Sequence, residues 1–264
     1  MTVDAIYHVT THNDAVQSEN RIHSDEIAQQ FGFEGALVAG VVVFGHMTYL
    51  PIKAEGTNWL TDNRAEVRFL KPAYDGQELE INNHLMGNGF KTECFSPTGT
   101  LLSVMESARE VAEPQGLAQL PPATETPERE EITWDRLFTD KPAPAYTWHA
   151  DRDTHLALCD QLKDDNTIYQ EGSEPVVHPF WIARQCNAAF ARSFILPAWI
   201  HVGTRFHFHE PLRAGHDIEV RMIPTEKWEK KGHQFVTLYI PFLVNGEVCV
   251  ECEHTAIFRI APPD

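Results

Sequence analysis

A histidine in a polar segment is the first residue of this chain that suggests chemistry. His23 lies in Ser18-Glu-Asn-Arg-Ile-His-Ser-Asp25, a segment that also contains two acidic side chains and an amide. Histidine is the side chain best suited to proton transfer near neutral pH. A carboxylate within reach would orient its ring, and Glu19 and Asp25 are the rival candidates. The alternative is a capping or surface histidine, because Ser24-Asp25-Glu26 is typical of a helix start.

A glycine follows this segment at the start of an apolar stretch. Gly40 ends the run Gly35-Ala-Leu-Val-Ala-Gly40, and the residues Ala36–Leu50 predict a buried helix. Because glycine has no side chain, a carbonyl oxygen could approach the free N–H groups and the positive dipole end of that helix. A polarised carbonyl with a nearby acid and base is the set of groups that hydration or dehydration requires.

The chain contains two copies of one sequence pattern. Val67-Arg-Phe-Leu-Lys-Pro72-Ala-Tyr-Asp-Gly76 matches Phe206-His-Phe-His-Glu-Pro211-Leu-Arg-Ala-Gly215, with 139 positions between equivalent residues. The same offset places Ala39-Gly40 against His178-Pro179. Such internal similarity indicates a duplicated structural unit. A later match needs an offset of 147, so we expect an insertion of eight residues in the charged segment Thr225–His233, which is predicted to be a loop.

Each copy is predicted to hold one helix followed by antiparallel strands, an α+β fold class. The predicted helices span Ala36–Leu50 and Pro179–Phe194, and the predicted strands span Arg64–Leu70, Gln77–Met86, Phe90–Phe95, Thr100–Glu110, Thr204–His209, His216–Met222, Gln234–Val244 and Glu247–Ile260. One helix against four or five strands leaves part of the sheet uncovered, and a second copy would cover it. We therefore predict an N-terminal repeat at 1–110, an acidic, proline-rich and solvated linker at 111–146, and a C-terminal repeat at 147–264.

The two loop-and-helix segments resemble a known family, the MaoC-like dehydratases, which include the R-specific enoyl-CoA hydratases. The family loop is D-x-N-P-[IL]-H-x-D, followed by G-x-x-[AV]-x-G at the helix start. The corresponding segments here are Ser18–Asp25 and Gly35–Gly40 in the first copy, and Asp164–Tyr169 and Val176–Pro179 in the second. A long helix wrapped by an antiparallel sheet resembles the hotdog fold, so the resemblance implies a double hotdog fold.

Both loops depart from the family pattern, and neither keeps both the Asp and the His. The first copy keeps His23 and Asn20 but has Ser18 at the Asp position, with Glu19 beside it. We expect catalysis in the first copy, from His23, Glu19, Asn20 and Asp25, with the thioester oxygen at Gly40. The second copy keeps the polar residues Asp164 and Asn166, has Tyr169 at the His position, and adds His178, so a structural role is expected there.

Charge and composition limit the classes of partner. The 264 residues include 21 basic and 38 acidic side chains, a formal net charge of −17. Such a charge disfavours binding to nucleic acid or to an anionic membrane surface. No signal peptide or membrane span is predicted, so a cytoplasmic monomer or homodimer is expected, with no metal and no cofactor. A phosphate-bearing ligand would need local cations. Arg64, Arg68 and Arg184 are the first candidates, and the others are Lys71, Arg192, Arg205 and Arg213.

These features together predict an enzyme of the hydro-lyase type. Its substrate would be a small-molecule acyl thioester, with coenzyme A as the expected carrier, and water would be added or removed across a 2,3-enoyl bond. Three alternatives stay open: a hotdog acyl-CoA thioesterase, a catalytically degenerate acyl-thioester-binding protein, and a pocket recruited for isomerisation or cyclisation of a non-CoA substrate.

Overall fold

The computed structural model describes residues 5–16, 18–125 and 128–262, so the outer ends of the two predicted repeats lie outside the described residues. The first half contains β1 (Ala5–Thr10), α1 (Asp25–Gln30), α2 (Gly40–Glu55), β2 (Asn63–Phe69), β3 (Glu78–Met86), β4 (Gly89–Phe95) and β5 (Leu101–Arg109). The linker segment contains β6 (Glu130–Glu131). The second half contains β7 (Tyr146–His149), α3 (Arg152–Gln161), α4 (Pro179–Ser193), β8 (Phe194–Ile195), β9 (Ile200–Phe208), β10 (Asp217–Val220), β11 (Ile223–Lys230), β12 (His233–Val244) and β13 (Glu247–Arg259).

Among the described residues, eleven strands from both halves form one continuous antiparallel sheet, and β6 and β8 form a separate parallel pair. The order of the large sheet is β1-β3-β4-β5-β2-β9-β13-β12-β10-β7, with β11 also paired to β12. The two halves join where β2 pairs with β9, in a register that places Val67 opposite Thr204 and Arg68 opposite Gly203. The long helices α2 and α4 contact each other. The α+β prediction of a double hotdog fold, two long helices wrapped by antiparallel strands, is confirmed.

Helix α2 is buried on all sides. Every residue from Val41 to Ile52 is buried, and a helix that is apolar around its whole circumference belongs in a core. Its Phe44 ring stacks on Phe206 of β9 at a centroid distance of 4.6 Å. The helix of the first half therefore packs directly against a strand of the second half, and the two halves share one hydrophobic core.

The first helix begins and ends later than predicted. The structure begins it at Gly40 and ends it at Glu55, whereas the prediction was Ala36–Leu50. The four residues before Gly40 stay extended because Leu37 bridges Tyr74 and the Val38 N–H donates to the Ala73 carbonyl. Gly40 is therefore the first helical residue, and the helix N-terminus lies beside the turn that follows β2.

Two other segments differ from their sequence-based assignment. Strand β9 begins at Ile200, four residues before the predicted start at Thr204. The charged segment Thr225–His233 was predicted to be a loop, and this is wrong: most of it belongs to β11, which pairs with β12 in an antiparallel hairpin. The pairing partner is β12, and the local charge pattern of the segment does not indicate that pairing.

The linker segment 111–146 is more closely packed than a solvated spacer. Ala118, Ile132 and Leu137 are buried. The Lys227 ammonium donates hydrogen bonds to the carbonyls of Trp134 and Leu137. These contacts hold the segment against the second half, whereas the boundaries at 110 and 147 stay a prediction. No helix among the residues that the structure describes is long and apolar enough to cross a membrane.

The junction between the halves gives a stability prediction. A Cβ added at Gly203 would lie 2.7 Å from the Val67 carbonyl oxygen on the neighbouring strand. Gly203→Ala should therefore lower the free energy of unfolding by about 1–3 kcal/mol, measured by urea denaturation. Gly116→Ala is the matched control, because no heavy atom lies within 4 Å of the added Cβ. Equal stability of the two variants would contradict the close approach of β2 and β9.

Candidate functional site

The loop that carries His23 fixes the orientation and tautomer of its ring. Asn20 caps a 3-10 turn at Arg21–His23, and its side chain accepts from the Ile22 N–H. The His23 Nδ1 lies 2.7 Å from the Leu37 carbonyl oxygen, which can only accept, so Nδ1 carries the proton. In the neutral ring, Nε2 then holds a lone pair, and the Asn20 amide nitrogen lies 3.3 Å from it. Burial lowers the pKa of His23 and favours this neutral form.

Asn20 also ties this loop to the second half of the chain. Its amide nitrogen donates to the Trp199 carbonyl at 3.0 Å, and its oxygen accepts from the Trp199 N–H at 3.2 Å. Trp199 directly precedes β9. The two hydrogen bonds therefore place the start of a second-half strand beside the His23 loop.

A cavity of about 340 Å³ lies between these elements, and we call it the His23 cavity. Its polar lining comes from Asn20, His23, Lys71, Ser103, Asn187 and His201, and much of the rest is apolar, including Phe33, Leu37, Val43, Phe69, Trp199, Ile200, Val202, Phe235 and Ile257. Apolar walls with a few convergent polar groups are typical of small-molecule sites. Both halves contribute to the lining, so the cavity exists only in the assembled double fold.

The N-terminus of α2 opens onto this cavity at Gly40. The first N–H groups of a helix have no intrahelical acceptor and carry a partial positive charge. A Cβ at Gly40 would lie 3.1 Å from the Phe69 ring and 3.3 Å from His201 Nδ1, so only glycine leaves this corner open. The structure therefore brings Gly40, Asn20 and His23 to the same cavity, as the sequence predicts.

The two predicted carboxylate partners of His23 lie elsewhere. Glu19 is exposed, and its carboxylate forms an ion pair with Arg129 of the linker segment at 2.6 Å. Asp25 accepts a hydrogen bond from the Ala36 N–H at 2.7 Å, which holds the segment before α2. Glu19 and Asp25 therefore bind other partners and do not orient the His23 ring.

A third carboxylate, Asp14, which the sequence analysis did not single out, is the one whose charge acts on His23. The Asp14 side chain is only 9% exposed, and one oxygen lies 3.5 Å from the Arg184 guanidinium. Burial raises the pKa of Asp14, while the charges of Arg184 and His23 oppose that rise. The adjacent Asn13 donates its side-chain N–H to the His23 carbonyl at 3.1 Å. Nothing in the local sequence spacing indicates Asp14, because its interactions with Arg184 and His23 depend on how distant segments pack together.

The polar residues of the second half form a closed cluster. His178 Nε2 lies 3.1 Å from an Asp164 oxygen, with side-chain exposures of 0% and 3%. Asn166 donates to the other Asp164 oxygen at 2.8 Å. The Phe180 N–H donates to His178 Nδ1 at 3.0 Å, so the proton of the ring is on Nε2 and points at the carboxylate. Tyr169 is also fully buried, and its ring centroid lies 4.5 Å from that of His178. The structure brings the four predicted residues together, but none lines the His23 cavity.

The predicted phosphate-binding arginines are not gathered at one place. Arg64 forms an ion pair with Glu110 at 3.1 Å and does not line the His23 cavity. Arg184 faces Asp14, as described above. Arg68 is exposed on β2, and the exposed Lys71 follows the same strand and lines the cavity. Of these candidates, Lys71 after the end of β2 is the one that lines the cavity.

Comparisons with solved structures agree with this fold. A MaoC-domain protein from Chloroflexus aurantiacus J-10-fl, named as a dehydratase, has a TM-score of 0.69 at 11% identity, covering 97% of this chain and 95% of that one. A conserved Mycobacterium tuberculosis protein with a double hotdog fold has a TM-score of 0.67 at 10% identity, covering 97% and 96%. A Lactobacillus plantarum protein named as an oleoyl thioesterase has a TM-score of 0.52 at 12% identity, covering 99% of each chain. The sequence matches no protein-family model and no curated protein.

The buried histidines predict how stability depends on pH. Burial lowers the pKa of His46 to about 4, and among the described residues neither of its ring nitrogens has a hydrogen-bond partner. Burial likewise lowers the pKa of His155 to about 4. Between the ordinary pKa of about 6.5 and the folded values, the unfolded chain binds more protons than the folded chain, so acidification favours unfolding.

The expected result is a free energy of unfolding that falls as the pH drops from about 6.5 towards 4, by up to about 1.4 kcal/mol per pH unit for each such histidine. His46→Met removes one of these groups and should make the pH dependence shallower. Urea denaturation at a series of pH values checks this. An unchanged slope in the variant would show that His46 is not held neutral by burial.

Proposed function

We propose that this protein is a hydratase- or dehydratase-like enzyme that acts on an acyl thioester bound in the His23 cavity. The observation that carries the proposal is the pairing of two groups at one cavity, the unprotonated Nε2 of His23 and the helix N-terminus at Gly40. A lone pair near neutral pH serves as a base, and the helix N-terminus polarises a carbonyl. The structural similarity to proteins named as MaoC-like dehydratases supports the same reaction class.

The reaction follows from these positions. With the thioester carbonyl oxygen at the N-terminus of α2, the 2,3-double bond becomes electron-poor at C3. His23 Nε2 takes one proton from a water molecule while the oxygen of that water bonds to C3. The negative charge that forms at C2 is shared with the carbonyl oxygen near Gly40. The His23 imidazolium then returns that proton to C2, which restores the neutral ring. Dehydration is the reverse, so one water is gained or lost and no external reactant is consumed.

The surroundings of His23 suit a base that must recover its starting form. Burial keeps the ring neutral before the reaction, while the Leu37 carbonyl and the charge of Asp14 favour its protonated form. Burial and these two partners therefore act on the pKa of the same ring in opposite directions. When the ring takes up a proton during turnover, the Leu37 carbonyl and Asp14 stabilise its charge. Asp14 thereby takes the electrostatic role that the sequence assigned to Glu19 or Asp25.

Coenzyme A is the proposed carrier of the acyl group. The chain as a whole has a formal net charge of −17, so the phosphates of coenzyme A would need a local group of cations on the protein. Lys71 at the cavity and Arg68 on the preceding strand supply such charges near the end of β2. Arg184, on α4 of the second half, forms an ion pair with Asp14 of the first half and is a further candidate for binding a phosphate.

A thioesterase is the second candidate function, supported by the structural similarity to a protein named as an oleoyl thioesterase. In such an enzyme His23 would activate the water that attacks the thioester carbonyl, and the charge of Asp14, which does not line the cavity, would stabilise the protonated ring. Release of a free thiol from an acyl-CoA separates this reaction from hydration, which leaves the thioester intact.

The test of the proposed function is an assay with crotonyl-CoA and longer enoyl-CoAs, followed by the absorbance of the conjugated double bond. We expect the absorbance to fall with wild-type protein, and His23→Ala to reduce kcat by about 100-fold or more because the base is lost. His149→Ala is the matched control, since this exposed histidine lies on β7 and does not line the cavity. No turnover at any chain length, or equal rates for wild type and His23→Ala, would refute the proposal.

A further inference from the structure

An arginine of the linker segment holds the loop that carries His23. The Arg129 guanidinium binds the Glu19 carboxylate with two nitrogens, at 2.6 Å and 3.4 Å from its two oxygens. One of these nitrogens also donates to the Phe194 carbonyl at 3.2 Å. A guanidinium presents several N–H groups in one plane, so it can bind a carboxylate and a carbonyl together. Arg129 therefore connects the His23 loop to the segment that follows α4, and we call these contacts the Arg129 clamp.

The clamp lies next to the contact that Asn20 makes. Glu19 directly precedes Asn20, and Phe194 lies five residues before Trp199. The Asn20 side chain bonds the N–H and the carbonyl of Trp199, and its nitrogen lies 3.3 Å from His23 Nε2. The clamp and the Asn20 contact thus join the same two segments of the chain at two points. Two points fix the orientation of a loop, whereas one point would let the loop rotate about it.

The linker side of the clamp is itself held in place. Glu130 and Glu131, which follow Arg129, pair with β8 in parallel. The Ile132 N–H donates to the Ile195 carbonyl at 3.0 Å, and the Ile132 side chain is buried. A contact can position a loop only if its other end does not move with that loop. These contacts give Arg129 a fixed base on the second half of the chain.

The clamp affects local geometry more than the stability of the fold. The Glu19 and Arg129 side chains are 71% and 36% exposed, and exposed ion pairs stabilise proteins little. The guanidinium holds the pKa of Glu19 below its usual range, so the pair stays charged near neutral pH. A catalytic base must lie within hydrogen-bond reach of the proton that it takes, and a displacement of about 1 Å can lower a rate by about 100-fold. A contact that adds little to stability can therefore have a large effect on turnover.

We propose that Arg129 is a positioning residue, which acts through Glu19 and Asn20 to hold His23 Nε2 in place at the acyl thioester. This inference rests on the proposed function, in which His23 is the base. Arg129 does not line the His23 cavity, so its effect on the reaction is indirect. The linker segment accordingly positions the base as well as connecting the two halves.

The kinetics of enoyl-CoA hydration by Arg129→Gln test the clamp. We expect kcat to fall about tenfold with KM little changed, because the position of the base affects the transition state more than the binding of substrate. Glu19→Gln should have a similar effect, and the double variant should be no slower than either single variant, since each breaks the same contact. Arg129→Lys, which keeps the charge without the planar group, should recover part of the lost kcat.

Arg221→Gln is the matched control. The Arg221 guanidinium also binds a carboxylate and a carbonyl of the linker segment, those of Glu219 at 2.7 Å and Ala118 at 2.9 Å, and it does not line the His23 cavity. This variant should keep the wild-type kcat. An unchanged kcat in Arg129→Gln, equal losses of kcat in Arg129→Gln and Arg221→Gln, or additive losses in the double variant would overturn the inference.

A second measurement does not require turnover. Burial lowers the pKa of His23, while the Leu37 carbonyl and the charge of Asp14 act in the opposite direction. A loosened loop admits water to the ring, so Arg129→Gln should raise the midpoint of His23 in an NMR titration towards the ordinary value of about 6.5, and Arg221→Gln should leave it unchanged. An unchanged midpoint in Arg129→Gln would also contradict the inference.

The two measurements separate this inference from the proposed function. If the proposed function is wrong, wild-type protein hydrates no enoyl-CoA, yet the His23 midpoint still rises in Arg129→Gln. If the inference alone is wrong, wild-type protein hydrates enoyl-CoAs, and Arg129→Gln matches it in both kcat and the His23 midpoint.

Discussion

The antiparallel pairing of β2 with β9 is the constraint on which the site depends. It joins two similar halves into one sheet, and it brings Trp199 and His201 of the second half beside Gly40 and Phe69 of the first. The close approach at Gly203 and the stacking of Phe44 on Phe206 keep this junction fixed. A single half would lack either the fifteen lining residues of the first half or the seven of the second. The proposed chemistry is therefore a property of the duplicated fold and not of one loop.

The two halves use similar polar residues in different ways. In the second half, His178 replaces the small residue found at Ala39 and turns its ring inward, where Asp164 and the Phe180 N–H satisfy both nitrogens. These hydrogen bonds are buried, so they hold the loop of the second half in place. In the first half, a backbone carbonyl satisfies only Nδ1 of His23 and leaves Nε2 at the cavity with a weak amide contact. The half whose loop lacks the family's Asp is thus the one whose histidine stays accessible to a ligand.

Much of the fold could be predicted from the sequence because it depends on local pattern and on the repeat. The offset between copies correctly aligned Gly40 with Pro179, and both are the first residue of a helix. The partners of the site could not be predicted in the same way. Glu19 pairs with Arg129, which is 110 residues away in the chain, and this removes it from His23. The positions of Asp14 and His201 depend on contacts between loops and strands that are distant in sequence, and no spacing rule indicates such contacts.

The central claim is that an acyl thioester binds in the His23 cavity with its carbonyl at the N-terminus of α2, and not beside the buried cluster of the second half. A crystal structure with a thioether analogue of an acyl-CoA, which cannot be hydrolysed, tests this most directly. We expect the acyl chain in the His23 cavity, its first carbons between Gly40 and His201, and the coenzyme A phosphates near Lys71 or Arg68. A ligand bound beside Asp164 and His178, or outside the His23 cavity altogether, would contradict the account.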